Sequence, residues 1–214
     1  MDALQQQVET GVEVLRAGGV IVFPTDTVYG LGVDAFNPRA VRRVYEVKRR
    51  AADLPLPLLL WDVSQVDALA EAVPGFARFM AERFWPGGLT IVLPKSALLP
   101  SHLGMGATVA VRVPRHPVAL DLISRLGRPL VGTSANISGQ RSVLTAGEAR
   151  QQLGSEVDFI IDGGKCPGGV ESTIVDGTGE MPVVVRQGII AERAIGKAYE
   201  EYCEERDSAY RSRL

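Results

Sequence analysis

Four polar stretches carry residue types that packing alone does not call for. The first, Pro24-Thr25-Asp26-Thr27-Val28-Tyr29-Gly30-Leu31-Gly32, sets hydroxyls, a carboxylate and a phenol at the end of an apolar run. Its glycines let backbone approach a ligand closely, although Asp26 and the threonines could equally satisfy their own turn. The second, Lys48-Arg49-Arg50, closes a helical pattern. Such cations complement the helix dipole in solvent, or, aimed into a cleft, grip phosphate oxygens. The third, Thr133-Ser134-Ala135-Asn136-Ile137-Ser138-Gly139, follows the apolar Leu130-Val131 and offers small donors and acceptors to a polar ligand, or a helix cap. The fourth pairs Glu171-Ser172-Thr173 with Arg186-Gln187-Gly188, downstream of the Gly163–Gly169 loop, whose backbone N–H groups could form an anion-binding concavity.

Arg112 is the sharpest single signal. It sits inside Val109-Ala110-Val111-Arg112-Val113, where a cation is costly unless a carboxylate or an anionic ligand meets it. Other chemistries lack their residues. No GxxxxGK[ST], GxGxxG or GxSxG pattern occurs. His102 and His116 stand alone beside prolines, and Cys166 and Cys203 lack partners at metal-ligand spacing. No metal site is expected in the chain itself, and both thiols are expected to be free.

The elements that would position these loops can be read from periodicity. Leu4, Val8, Val12 and Leu15 predict an amphipathic helix over 3–17, stopped by Gly18-Gly19. Further helices are expected at 38–50, 64–72, 75–84, 117–126 and 146–153, with Pro38 suited to a first turn. Strands are expected at 20–23, 56–61, 89–93, 108–113, 130–133, 159–162, 172–176 and 182–186. Residues 24–32 read as loop. Irregular alternation argues for an α/β fold with a mixed sheet. A domain over 1–190 and a charged, helical tail over 191–214 are expected.

Composition bounds the partners. A hydrophobic content of 46% across 214 residues supports a full core. With Lys+Arg 23 against Asp+Glu 25, no bulk pull toward nucleic acid follows, and an anionic ligand needs a local cluster. No apolar run is long enough to span a bilayer, and the first residues lack the order of an export signal. A cytoplasmic location without membrane association is expected.

Together the loops resemble the Sua5/YrdC/TsaC family of threonylcarbamoyl-AMP synthases. The matching pieces are PTDTVYGLG at 24–32, KRR at 48–50, WPGGLT at 85–90, TVAVRVPRHP at 108–117, TSANISG at 133–139, ESTIVD at 171–176 and RQG at 186–188. The resemblance implies a twisted α/β sheet around a concave, positively lined cleft. It implies ATP, L-threonine and bicarbonate as substrates, Mg2+ on the phosphates, and downstream proteins that transfer threonylcarbamoyl to tRNA. By motif it implies Lys48 and Arg50 as catalytic cations, and Thr27, Arg112, Ser134 and Ser172 as threonine contacts. It further implies Arg50, Thr108, Asn136 and Arg186 as ATP contacts. The chain departs from the pattern at Leu54, Leu59 and Ser142-Val143-Leu144. An alternative reading makes the same concave basic surface a binder of tRNA or double-stranded RNA without turnover, with Arg42, Arg43 and Lys48-Arg49-Arg50 on phosphates.

Overall fold

The computed structural model describes residues 2–51, 55–104 and 106–211. Its centre is a mixed sheet of nine strands in the order β7-β1-β2-β6-β3-β5-β4-β8-β9. In chain order these are β1 (Ile21–Phe23), β2 (Gly30–Asp34), β3 (Leu58–Leu59), β4 (Leu89–Pro94), β5 (Thr108–Arg112), β6 (Leu130–Ser134), β7 (Phe159–Ile160), β8 (Thr173–Asp176) and β9 (Val183–Arg186). The helices are α1 (Ala3–Arg16), α2 (Pro38–Lys48), α3 (Val66–Leu69), α4 (Gly75–Phe84), α5 (Pro117–Leu126), α6 (Ala146–Leu153) and α7 (Glu192–Arg211).

The twofold alternation of strand side chains divides the core by sheet face. Ile21 and Phe23 pack with α1 and α5, alongside Val12, Leu15, Leu122 and Ile123. Val20 and Val22 belong to the opposite cluster, with Val44 of α2, Phe76 and Met80 of α4, Ala149 of α6 and Ile195 of α7. That second layer also buries Leu89, Ile91, Leu93, Val109, Val111 and Val175 from β4, β5 and β8. The residues between them, Thr90, Arg112 and Ile174, therefore emerge on the face that carries α1 and α5. Those two helices pack over β1, β3 and β6 (Ile21, Leu59 and Leu130); Thr90, Arg112 and Ile174 face the cleft described below.

Most predicted helices stand within a residue or two. Asn37 caps α2, accepting from the backbone N–H groups of Arg39 and Ala40, with Pro38 following. Thr145 and Glu148 form a capping box on α6. The expected helix at 64–72 is instead a 3-10 turn at Val63–Gln65 followed by the short α3.

Two strand expectations need correction. Residues 30–34 are a strand, not loop. Gly30 and Gly32 lie under the Phe23 ring, where an added Cβ would stand 3.0 and 2.8 Å from ring carbons. Here glycine marks a close approach inside a strand. The run expected at 56–61 is a strand only at Leu58 and Leu59, flanked by single backbone bonds from Gly132 N–H to the Pro57 carbonyl and from Leu60 N–H to the Arg112 carbonyl; Pro57 has no N–H to extend the ladder.

Glu192–Arg211 form the helix α7. It lies against α4: Tyr199 meets Phe76 edge-on with ring centroids 5.8 Å apart, and Ile195 is buried.

Candidate functional site

Sheet register builds the floor of the site. Arg186 of β9 pairs with Ile174 of β8, which pairs with Thr90 of β4. The antiparallel β4–β5 register, Ile91 opposite Val111, brings Thr90 level with Arg112. Arg112 in turn pairs with Leu59, and Leu59 with Leu130. One row of side chains thus crosses six strands on one face. Around it the loops after β1, before β3 and before β8, with the ends of β6 and β9, close a cleft of about 180 Å³. Thr25, Thr27, Tyr29, Arg50, Leu59, Thr90, Arg112, Ser134, Glu171, Ser172 and Arg186 all line it.

Arg112 is the anchor. Its Nε donates to the Gly87 carbonyl at 2.8 Å, one terminal nitrogen to Thr27 Oγ1 at 3.1 Å, and the other to Asp26 Oδ1 at 2.7 Å. The Arg112–Asp26 pair is nearly dry, with side-chain exposures of 8% and 14%. Burial opposes the guanidinium charge, and Asp26 supports it. A guanidinium has five N–H donors, so two remain without a partner among the described residues. Asp26 also accepts from the Arg115 backbone N–H at 3.0 Å. The sequence left open whether a carboxylate or a ligand meets Arg112; the chain supplies the carboxylate and keeps donors in hand.

Hydroxyls flank the anchor. Thr25 Oγ1 lies 3.0 Å from Thr27 Oγ1, and Thr25 donates to the Val28 carbonyl at 2.6 Å. Ser172 Oγ lies 2.8 Å from Thr90 Oγ1. Arg186 donates to the Ser172 carbonyl at 2.8 Å and to its Oγ at 3.2 Å. Gly188 fits here because any Cβ would lie 2.4 Å from the Glu171 carbonyl oxygen. Thr173 Oγ1 accepts from the N–H groups of Gly188 and Ile190, both at 3.0 Å. The ESTIVD and RQG motifs are thus one locked unit.

The end of α2 separates its three cations. Arg49 takes a left-handed conformation, φ 49°, which ends the helix. That turn leaves Lys48 buried, Arg49 exposed and Arg50 on the cleft wall. Arg50 donates to the Pro55 carbonyl at 3.2 Å, while its Nε is buried with no partner among the described residues. An unpaired buried donor costs about 1–3 kcal/mol unless an occupant of the cleft accepts from it. Arg186 at the rim is exposed over much of its area. Its proton is nevertheless held less tightly, first because protein surrounds the guanidinium, with Glu171 acting in the opposite sense and Arg50 in the same one.

Three expected cleft residues, Lys48, Asn136 and Thr108, lie outside its lining. The Lys48 ammonium donates to the carbonyls of Ser134 and Asn136 and, at 3.3 Å, to Asn136 Oδ1. An ammonium has three donors, and all are committed to the TSANISG loop. Lys48 therefore holds the loop that presents Ser134, and does not itself line the cleft. Its pKa is pushed down to about 8, chiefly by burial, then by Arg50, against the pull of Glu171. Asn136 is buried, and its amide nitrogen donates to the carbonyls of Ile137 and Gln140 at 3.1 and 2.7 Å. Thr108 sits at the far end of β5 from Arg112, opposite Pro94, roughly 13 Å along the strand and outside the cleft lining.

Three N–H groups of the Gly163–Gly169 loop, expected to be able to form an anion-binding concavity, bond within the chain instead. Gly164 N–H donates to Asp162, Cys166 N–H to the Leu144 carbonyl, and Gly169 N–H to the Thr27 carbonyl. The loop buttresses the PTDT segment from behind, and Tyr29 ties it down by donating to the Gly164 carbonyl at 2.7 Å. Burial is the main reason the Tyr29 phenol is raised to about 12.

In the sequence Glu171 carries no signal beyond its place in ESTIVD. It lines the cleft, and its Oε1 accepts from Ser142 Oγ. Ser142 belongs to the stretch where the chain departs from the family pattern. Its neighbours Val143 and Leu144 give their carbonyls to Tyr29 N–H and Cys166 N–H. Leu59, another departure, lines the cleft, and Leu54 lies outside the described residues.

Residues 13–188 match the family model of Sua5, yciO and yrdC proteins, described as telomere recombination. The chain belongs to this family. It is 44% identical over 188 residues to a threonylcarbamoyl-AMP synthase of Pyrococcus abyssi, covering 87% of this chain and 55% of that protein. A threonylcarbamoyl-AMP synthase of Idiomarina loihiensis is 42% identical over 147 residues, covering 67% of this chain and 79% of the relative. Among solved structures, P. abyssi Sua5 complexed with L-threonine aligns with a TM-score of 0.86 at 42% identity, covering 89% of this chain and 56% of that one. E. coli YciO aligns at 0.81 with 31% identity, covering 89% of this chain and 93% of that chain. The chain spans about half the length of the P. abyssi and Bacillus subtilis relatives, 55% of each. The nine-stranded mixed sheet and flanking helices agree with the fold expected from sequence. No helix among the described residues is long and apolar enough to cross a membrane.

Proposed function

We propose that the chain forms threonylcarbamoyl-AMP and pyrophosphate from L-threonine, bicarbonate and ATP, the activated intermediate for threonylcarbamoylation of tRNA adenosine. The observation that carries this reading is the division of the cleft. One part holds a dry guanidinium with spare donors among hydroxyls; the other holds Arg186, which feels the like charge of Arg50 and the opposite charge of Glu171. The first suits an amino-acid carboxylate beside its hydroxyl group, and the second suits phosphates. The P. abyssi relative with bound L-threonine supports the amino-acid half.

In this reading the carboxylate of threonine lies on Arg112, with Thr27, Ser134 and Ser172 around it. Its amine attacks carbon dioxide or bicarbonate to give a carbamate. A carbamate oxygen then attacks the α-phosphorus of ATP, and pyrophosphate leaves. Neither step requires a covalent bond to the protein. The chain supplies alignment and fixed positive charge, through Arg50 and Arg186, with Lys48 holding the Ser134 loop in place. Asn136, locked by Lys48, serves the nucleotide by shaping this loop.

Magnesium enters with the nucleotide. Among the described residues no group of three or more His, Cys, Asp or Glu side chains is placed to hold a metal ion. Mg2+ commonly keeps its waters and relies on substrate phosphates with one or two carboxylates.

The RNA-binding alternative has less support. Two cations it relied on are already committed: Lys48 to the Ser134 loop, and Arg43 to Asp158 at 2.7 Å. The test is threonine-dependent pyrophosphate release by the purified protein with ATP, Mg2+ and bicarbonate. Release that stops when threonine is omitted supports the synthase. RNA binding with a steep salt dependence and no release of pyrophosphate supports the alternative.

A further inference from the structure

An amino acid enters solution chemistry as a zwitterion, and the proposed amino-acid site so far answers only its negative end. The positive end must be met as well. It must also lose a proton, because an ammonium nitrogen has no lone pair with which to attack carbon. Among the described residues lining the cleft, Glu171 is the one carboxylate.

We propose that the Glu171 carboxylate binds the ammonium group of the amino-acid substrate and accepts the proton released before carbamate formation. This rests on the reading of the cleft as an amino-acid and nucleotide site. In the step, an N–H bond of the ammonium breaks and an O–H bond forms on Glu171. The freed lone pair of the neutral amine then forms the C–N bond with carbon dioxide derived from bicarbonate. The second amine proton leaves to solvent as the carbamate forms.

The placement of Glu171 is fixed by three independent contacts. Ser142 Oγ donates to Oε1, which leaves Oε2 without a partner among the described residues. The Glu171 carbonyl accepts from Ile189 N–H at 2.9 Å, and Gly188 packs directly against that carbonyl. The carboxylate is therefore carried on the locked ESTIVD–RQG unit, one residue before Ser172, whose hydroxyl faces the same cleft. Lys48 and Arg186 both feel Glu171 as an opposite charge. A carboxylate with one oxygen tethered and the other open can receive an N–H donor without reorganising.

The test uses the intact protein, L-threonine and 3-hydroxybutyrate, which is threonine without its amine. Titration calorimetry on wild type should give a preference for threonine of at least about tenfold, the scale of one charge-assisted contact. Glu171→Gln should lose that preference by weakening threonine and leaving 3-hydroxybutyrate within about twofold. Its turnover should fall and recover as pH rises, where free amine becomes abundant, and Glu171→Asp should restore part of the wild-type rate at neutral pH. Ser142→Ala, which keeps the carboxylate but removes its tether, should lower the threonine preference by less than Glu171→Gln does.

Three results overturn the proposal. Glu171→Gln could keep the preference for threonine. Ser142→Ala could reproduce the full defect, making Glu171 a loop bridge. The loss could fall on the Mg2+–ATP requirement with threonine binding unchanged, making Glu171 a group for the nucleotide and its cation. If wild type releases no pyrophosphate, the synthase reading fails by itself, and the calorimetric preference still decides the ammonium contact.

Discussion

Asp26 and Arg112 meet at 2.7 Å where the loop after β1 crosses the end of β5. Arg112 also reaches Gly87 in the turn before β4, so one guanidinium ties three separated stretches of chain. Cleft geometry and fold stability are coupled at this point.

Replacing Asp26 with alanine removes the counter-charge and leaves a buried guanidinium unpaired. We expect a loss of about 3 kcal/mol, the scale for breaking a buried pair from one side, read by urea denaturation. Threonine affinity should fall in the same variant, because Arg112 loses its aim. A variant as stable as wild type would mean that Arg112 is solvated and does not depend on its partner.

Lys48 has a pH signature. Its folded pKa of about 8 lies below the ordinary 10.5. Between those values the unfolded chain holds a proton that the folded chain has released. Unfolding therefore takes up protons there, and stability rises with pH across that window. The stability of wild type relative to Lys48→Met should be flat below pH 8. It should then climb toward pH 10.5 by as much as about 1.4 kcal/mol per pH unit. A flat difference throughout would show that the three loop acceptors restore an ordinary pKa.

The glycine loop offers a steric test. An added Cβ at Gly168 would lie 2.6 Å from the Asp26 carbonyl oxygen and 2.7 Å from Thr27 Cα. Gly168→Ala should cost about 1–3 kcal/mol by overpacking and weaken threonine binding, because Thr27 must move. Calorimetric titration checks the second effect; unchanged affinity would free Thr27 from any role in the amino-acid site.

Much of the scaffold was legible in the sequence, for physical reasons that also explain the misses. Helices such as 117–126 announce themselves through periodicity with Pro at the start and Gly127 at the end. Arg112 was conspicuous because a charge in a valine run needs a partner. The strand Gly30–Asp34 was hidden because its glycines mimic loop chemistry while making room for Phe23. Lys48 and Arg50 looked alike in sequence. Only the left-handed Arg49 between them sends one inward to the loop and the other to the cleft. The Asp26 and Glu171 contacts join residues far apart in the chain, which no local pattern encodes.

A control away from the cleft concerns Gly196 in α7, exposed with nothing within 4 Å of an added Cβ. Gly196→Ala should stabilise the protein by roughly 0.5–1 kcal/mol with turnover unchanged. Thermal denaturation measures this directly, and destabilisation would contradict the docked helix.

The most direct measurement follows carbon from bicarbonate into product. Wild-type protein is incubated with ATP, Mg2+, L-threonine and 13C-labelled bicarbonate, and the nucleotide products are weighed by mass spectrometry. The account predicts an adenylate carrying both threonine and one labelled carbon, absent when threonine is withheld and absent in Arg112→Ala. Formation of that adenylate at the wild-type rate by Arg112→Ala, or of AMP without the label by wild type, would contradict it.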